Sequence, residues 1–144
     1  MTQHRIFRPY RTIGFTLIEL LVVLAILGLL AGLVGPRVLS QLEGAKGKAA
    51  AVQIKDLEQA VDLFRLDVGR FPTSEEGLQA LVTDPGNARG WKGPYLRRGL
   101  PEDPWGNPYR YQAPGRYGEV DIYSLGADNA PGGSGDNADI GNWD

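Results

Sequence analysis

The chain has 144 residues, no cysteine, one histidine and a formal net charge of −2. That length suits one compact domain. The missing cysteines exclude disulfides, thiolate metal sites and thiol nucleophiles, the single His4 excludes histidine triads and multi-histidine metal centres, and the near-neutral charge argues against a nucleic-acid partner.

Residues 1–14 hold Arg5, Arg8 and Arg11 with no acidic residue and run straight into an apolar stretch. A basic segment before an apolar one is the layout of a targeting signal, and Ala25, Gly28, Ala31 and Gly32 leave room for an ordinary secretory cleavage site. As a helix, Phe15 to Gly35 spans about 31 Å at ~1.5 Å per residue, close to the hydrocarbon thickness of a bilayer. The segment can therefore cross a membrane. Arg37, Lys46 and Lys48 come after it, so the flanking charges leave its direction open. Glu19 stands out inside the apolar run, where a carboxylate is costly. Two readings fit it: a side chain reaching back to the headgroups, or one kept for a partner charge.

Gly14-Phe15-Thr16-Leu17-Ile18-Glu19, leading into an unbroken apolar helix, resembles the class III signal of type IV pilins and pseudopilins. The resemblance implies that a membrane-embedded prepilin peptidase cuts between Gly14 and Phe15 and methylates the new amino terminus on Phe15. The apolar helix is then kept as an anchor, with its amino terminus in the cytoplasm and the rest of the chain outside the inner membrane. It also implies an assembly role for Glu19, as partner to a neighbouring subunit's terminal amine in surroundings where a bare charge is costly. Removal of the leader takes away three of the 15 basic residues and the only histidine.

Gly28, Gly32, Gly35 and Pro36 punctuate the apolar run, so a kink or local unwinding is expected near Pro36, and Gly28-x-x-x-Gly32 offers a close-packing face. The pilin-like families also carry a proline at this place. Beyond it, Leu42, Ala45, Ala49, Val52, Leu57, Val61, Phe64 and Val68 recur by threes and fours, which predicts an amphipathic helix over 37–69 with its apolar stripe on a domain. Gly69 and Pro72 end it. The expected organisation is a leader over 1–14, an apolar membrane or filament-core helix over 15–36, and an α+β domain over 37–144.

Thr73-x-x-Glu76 ahead of Leu78, Ala80, Leu81 and Val82 reads as a capping box opening a short helix, which Asp84-Pro85-Gly86 closes. Tyr109, Tyr111, Val120, Ile122 and Ser124 alternate with polar residues across Ala113-Pro114-Gly115, which predicts a small antiparallel sheet. Trp91, Trp105 and Trp143 read as core of a small domain rather than a sugar-binding surface. The acidic pairs Glu75-Glu76 and Glu102-Asp103 read as solvated surface, and no enzyme is expected.

The segment 125–144 carries Asp128, Asp136, Asp139 and Asp144 among many glycines, with no basic residue. Such a loop suits a hard cation, since Ca²⁺ takes carboxylates and main-chain carbonyls together. Its spacing imitates an EF-hand without being one, because Ala130 and Gly132 stand where ligands are needed. A solvated acidic turn is the plainer alternative.

FPTSEEGLQALV, WKGPYL, LPEDPWGNPYRY and DIYSLGADNAPGGSGDNADIGNW resemble the major pseudopilins of type II secretion along essentially the whole chain from Gly14 to Trp143. This implies a type IV pilin-like α+β fold, with a long amino-terminal helix packed on a small antiparallel sheet and an ordered carboxy-terminal calcium loop. One structural Ca²⁺ is implied there, held by the side chains of Asp128, Asp136 and Asp139 and the Leu125 carbonyl. The implied role is that of a structural subunit of a periplasmic filament that drives folded proteins across the outer membrane. Its implied partners are copies of itself, minor pseudopilins, the inner-membrane assembly platform with its ATPase, the prepilin peptidase and, indirectly, the outer-membrane secretin. A type IV major pilin for adhesion or motility is the alternative, although those chains usually close this region with a disulfide.

Overall fold

A computed structural model describes residues 13–144; His4, Arg5, Arg8 and Arg11 of the expected leader lie outside the described residues. A single helix, α1, occupies Leu17–Val68. It runs unbroken through Gly35 and Pro36, so the local unwinding expected there does not occur. The reason lies in Gly35: a proline ring restricts the preceding residue partly by striking its Cβ, and glycine has none. The chain divides into a unit that reaches Leu39 and a second, Ser40–Asp144.

In the second unit, α1 buries Ala50, Ile54, Leu57, Ala60, Val61 and Phe64. This corrects the first half of the expected stripe, since Leu42 and Val52 are 55% and 59% exposed and Ala45 and Ala49 also face solvent. The run Ala49-Ala50-Ala51 gives a helix no preferred phase, and it is the bulky Ile54 that sets it. Leu57, Val61 and Phe64 lie on the core face as expected, with Val68 packed at its margin. The helix stops where Gly69 turns to φ +83°, its N–H donating to the Arg65 carbonyl at 2.8 Å. A left-handed residue at this place is the usual helix terminator.

The predicted capping box forms: Glu76 N–H donates to Thr73 Oγ1 at 3.2 Å, and Thr73 N–H to Glu76 Oε2 at 2.8 Å. The element it opens is a 3-10 turn over Gly77–Leu81 rather than an α-helix. Five residues are enough to bury Leu78, Ala80 and Leu81 in the same core cluster as Leu57, Val61 and Phe64, and tight i+3 bonding is common in pieces this short. Asp84 accepts the Gly86 N–H at 2.8 Å in the turn beyond.

The hairpin is as expected: β1 (Arg110–Gln112) and β2 (Asp121–Ser124) pair antiparallel, with Tyr111 opposite Ile122. A third strand, β3 (Ile140–Gly141), adds to β2 with Ser124 opposite Ile140. Ile122 and Val120 complete the core with Tyr109. Tyr109 donates to Gln53 Oε1, and Tyr111 to the Pro72 carbonyl at 2.8 Å. Burial pushes both phenols well above their ordinary range, so both stay neutral donors.

The tryptophans divide. Trp91 packs on the core edge-on to Tyr95, its Nε1 donating to the Ala80 carbonyl at 2.8 Å. Trp143 instead lies at the surface, 36% exposed, with its ring centroid 4.4 Å from Tyr117 and 5.6 Å from Tyr123. It therefore departs from the expected core role. Trp105 is half-buried outside the central cluster, its Nε1 without a hydrogen-bond partner.

Candidate functional site

The first candidate region is the start of α1. Ile13 to Thr16 precede the helix without regular structure, and Phe15 is 84% exposed. A Cβ on Gly14 would meet nothing within 4 Å, so packing within this chain does not require glycine there. The large side chains from Leu17 to Leu39 are all at least half exposed, and α1 is long and apolar enough to cross a membrane.

Glu19 has a role that its place in the apolar run did not suggest. Thr16 N–H donates to Glu19 Oε2 at 3.1 Å and Glu19 N–H to Thr16 Oγ1 at 3.2 Å, a capping box for α1. The signal was present in Thr16-x-x-Glu19, the same pattern that identified Thr73-x-x-Glu76. The cap satisfies two N–H groups that have no helical acceptor, and it sets a carboxylate beside the helix's positive end.

The second region is the acidic loop between β2 and β3. Asp136 sits in a short 3-10 turn, Gly135–Asn137, and its main-chain carbonyl accepts the Ala127 N–H at 2.8 Å. Asp128 accepts the Ala130 N–H at 3.1 Å, and Asp139 Oδ2 accepts the Gly132 N–H at 2.9 Å. Asp139 Oδ1 is buried with no partner. A bare buried carboxylate oxygen is costly, and a hard cation satisfies one directly. Among the described residues, no three acidic or histidine side chains gather as a metal cage. The expected ligands Asp128, Asp136 and Asp139 are therefore not gathered into one cluster by this loop.

Main-chain contacts hold the loop's limbs together. A Cβ on Gly126, at φ +70°, would come within 2.6 Å of the Asp136 carbonyl. At the far end, Asn142 binds β2 twice and the residue before it once: its N–H reaches the Ile122 carbonyl at 3.0 Å, its Oδ1 accepts the Ile122 N–H at 3.0 Å, and its Nδ2 donates to the Val120 carbonyl at 3.1 Å. Nδ2 also reaches Glu58 on α1 at 3.3 Å.

Three acidic residues in the domain are structural anchors rather than reactive groups. Glu76 takes Arg70 through both oxygens, at 2.7 and 2.8 Å, which with the Thr73 N–H holds its carboxyl down to about 2 against the pull of burial. Asp103, 4% exposed, accepts the N–H groups of Trp105 and Asn107 and the Ser124 hydroxyl. Asp121, 2% exposed, accepts the N–H groups of Arg116, Tyr117 and Gly118. Asp121 borders a cavity of about 230 Å³ with Glu58, Asp62 and Trp143, yet its oxygens are committed to that turn.

Residues 37–143 match the family described as "Type II secretion system (T2SS), protein G", and residues 11–35 match the "Prokaryotic N-terminal methylation motif". The type II secretion system core protein G of Pseudomonas aeruginosa is 53% identical over 135 residues, covering 91% of this chain and 94% of that protein. The protein of the same name from Vibrio cholerae is 49% identical, covering 90% of each. The crystal structure of the major pseudopilin from the type 2 secretion system of enterohaemorrhagic Escherichia coli matches with a TM-score of 0.63 at 38% identity, covering 73% of this chain and 92% of that one. With the helix, the three-stranded sheet and the methylation motif in agreement, the chain belongs to the type II secretion system protein G family, the major pseudopilins.

Proposed function

We propose that this chain is stored in the inner membrane by its apolar helix and polymerises through that helix into a periplasmic pseudopilus. Prepilin peptidase would cut between Gly14 and Phe15 and methylate Phe15, leaving the amino terminus on the cytoplasmic side. The single observation that carries the reading is the exposed apolar segment of α1, headed by an exposed Gly14-Phe15 and a capped Glu19. An apolar helix that buries itself head-to-tail against copies of itself makes a heterologous interface that does not close, and such interfaces generate helical fibres. Growth of the fibre on an inner-membrane platform, driven by a cytoplasmic ATPase and completed by minor pseudopilins, would push folded proteins toward the outer-membrane secretin. The chain itself does no chemistry in this scheme.

In the assembled fibre, Glu19 is proposed to neutralise the terminal amine of a neighbouring Phe15. The acidic loop is proposed to hold one Ca²⁺ through Asp128, Asp139 and the Leu125 carbonyl, with Asp136 contributing. Bound there, the ion would supply a positive charge shared by carboxylate and carbonyl oxygens, and so tie the loop's two limbs. The buried, unpartnered Asp139 Oδ1 supports this assignment. Intact mass and amino-terminal sequencing of the membrane-extracted protein test the route: the expected result is a chain that begins at a methylated Phe15, and a start beyond residue 30 would overturn it.

A further inference from the structure

We infer that Asp103 and Asn107 are positioning residues for the calcium loop: Asp103, through Ser124, sets the Leu125–Gly126 peptide, and Asn107 sets the Gly126–Ala127 peptide that follows it, before any metal arrives. The inference rests on the proposal that the acidic loop holds Ca²⁺. The turn from Asp103 to Asn107 is closed by Asp103, whose Oδ1 accepts the Trp105 N–H at 3.0 Å and the Asn107 N–H at 2.8 Å. Asp103 N–H in turn donates to the Asn107 carbonyl at 2.8 Å. Both ends of the turn are therefore fixed, and Asp103 Oδ2 and Asn107 Nδ2 both act at the loop entrance.

The first is Asp103 Oδ2, which accepts the buried Ser124 hydroxyl, while Ser124 Oγ accepts the Gly126 N–H at 3.1 Å. The peptide between Leu125 and Gly126 is planar and trans, so its C=O and N–H point in opposite directions. Tying the N–H to Ser124 consequently turns the Leu125 carbonyl away from the buried Ser124–Asp103 pair. The second group is Asn107 Nδ2, which donates to the Gly126 carbonyl at 2.9 Å. The N–H on the other side of that peptide, from Ala127, reaches the Asp136 carbonyl at 2.8 Å. The Gly126–Ala127 peptide is thus a bridge between the 103–107 turn and the loop's far limb. Groups that orient metal ligands without touching the metal commonly change affinity by ~10- to 100-fold when removed.

The test uses the full processed chain in detergent, titrated with Ca²⁺ by calorimetry. Asn107→Ala should weaken Ca²⁺ binding by about 10-fold or more. Thr73→Ala, which removes a cap remote from the loop, serves as a destabilised control and should leave the affinity within about 2-fold of wild type. Asn107→Ala binding as tightly as wild type overturns the positioning role, and so does an equal loss in Thr73→Ala, since that would trace the effect to general destabilisation. A wild-type chain that binds no Ca²⁺ overturns the calcium reading itself, and this inference with it.

Discussion

Thr16 and Glu19 cap each other at the start of α1, each main-chain N–H answered by the other's side chain at 3.1 to 3.2 Å. Two substitutions separate this local duty from the proposed assembly charge. Glu19→Gln keeps an oxygen acceptor and loses the charge, so helix ends should persist while filaments fail to form. Thr16→Val keeps the charge and loses the hydroxyl acceptor, which should weaken the first turn by about 1 kcal/mol. Amide exchange at Leu17 to Leu20 in micelles reads the state of the helix end, and electron microscopy reads fibre assembly. Normal fibres from Glu19→Gln would remove the charge-pairing role.

Chelation should lower the melting temperature of the full chain in detergent. Saturation at 100 times the dissociation constant is worth ~2.7 kcal/mol, on the order of 10 °C for a domain of about 100 residues. Asp139→Ala should abolish the difference between chelator and calcium, as should Asp128→Ala. Superimposable melting curves for the wild type in both conditions would end the calcium proposal.

Acid should weaken the domain through Glu76. Its folded-state carboxyl is lowered from 4.5 to about 2, first by the Arg70 hydrogen bonds, so its contribution is fully present above pH 4.5 and is lost as pH falls toward 2. Roughly 2–3 kcal/mol is at stake. Urea unfolding between pH 6 and pH 2, in chelator to silence the loop, should show this loss in wild type and a flatter profile in Arg70→Met.

The turn over Asp121 should tolerate little. Asp121→Ala would strip three main-chain N–H groups of their acceptor, at about 1–3 kcal/mol for each left unanswered. Gly115→Ala would set a Cβ 2.5 Å from Asp121 Oδ1 and 2.6 Å from the Gly118 carbonyl, both inside contact distance. Thermal unfolding should show both variants well below wild type. Equality of Asp121→Ala with wild type would mean that the turn is not held by Asp121, and equality of Gly115→Ala that the backbone there gives way to a Cβ.

Val52 and Ile54, two residues apart on α1, should behave oppositely. Ile54 is 1% exposed and Val52 is 59% exposed. Ile54→Ala is expected to cost about 2–4 kcal/mol and Val52→Ala less than about 0.5 kcal/mol in the unassembled chain. Chemical denaturation of the two variants side by side checks the phase of the helix.

That pair also marks where sequence reasoning stops. Large, regularly spaced residues such as Leu57, Val61 and Phe64 announce their face, whereas alanines at 49, 50 and 51 do not. The hairpin was legible because Tyr111 and Ile122 sit in alternating runs, and β3 was not, because two residues among glycines and aspartates carry no period. Asp103 looked like a surface acid and Asp121 drew no notice, since nothing local reveals that a turn will fold its N–H groups onto them. Gly14, Phe15 and Glu19 were legible as a motif, but the cap at Thr16 was hidden behind the membrane cost of the charge. For the acidic loop, the residue types suggested a cation, and the sequence could not foretell that only Asp139 would keep a buried oxygen without a partner.

The pairing of Ser124 with Ile140 has a consequence for how this protein can change. Once β2 and β3 are zipped and Asn142 is fastened to β2, the chain between them is an excursion that leaves and returns at neighbouring points. The entropy of closing such an excursion grows slowly, by only ~0.6 kcal/mol for each doubling of its length. Its tip beyond Asp128, residues 129–135, is solvent-exposed throughout. A chain that gained or lost a few residues there would keep its sheet, its Asn142 clamp and the entrance at Leu125, so the tip is where new sequence can be tried at least risk to the fold.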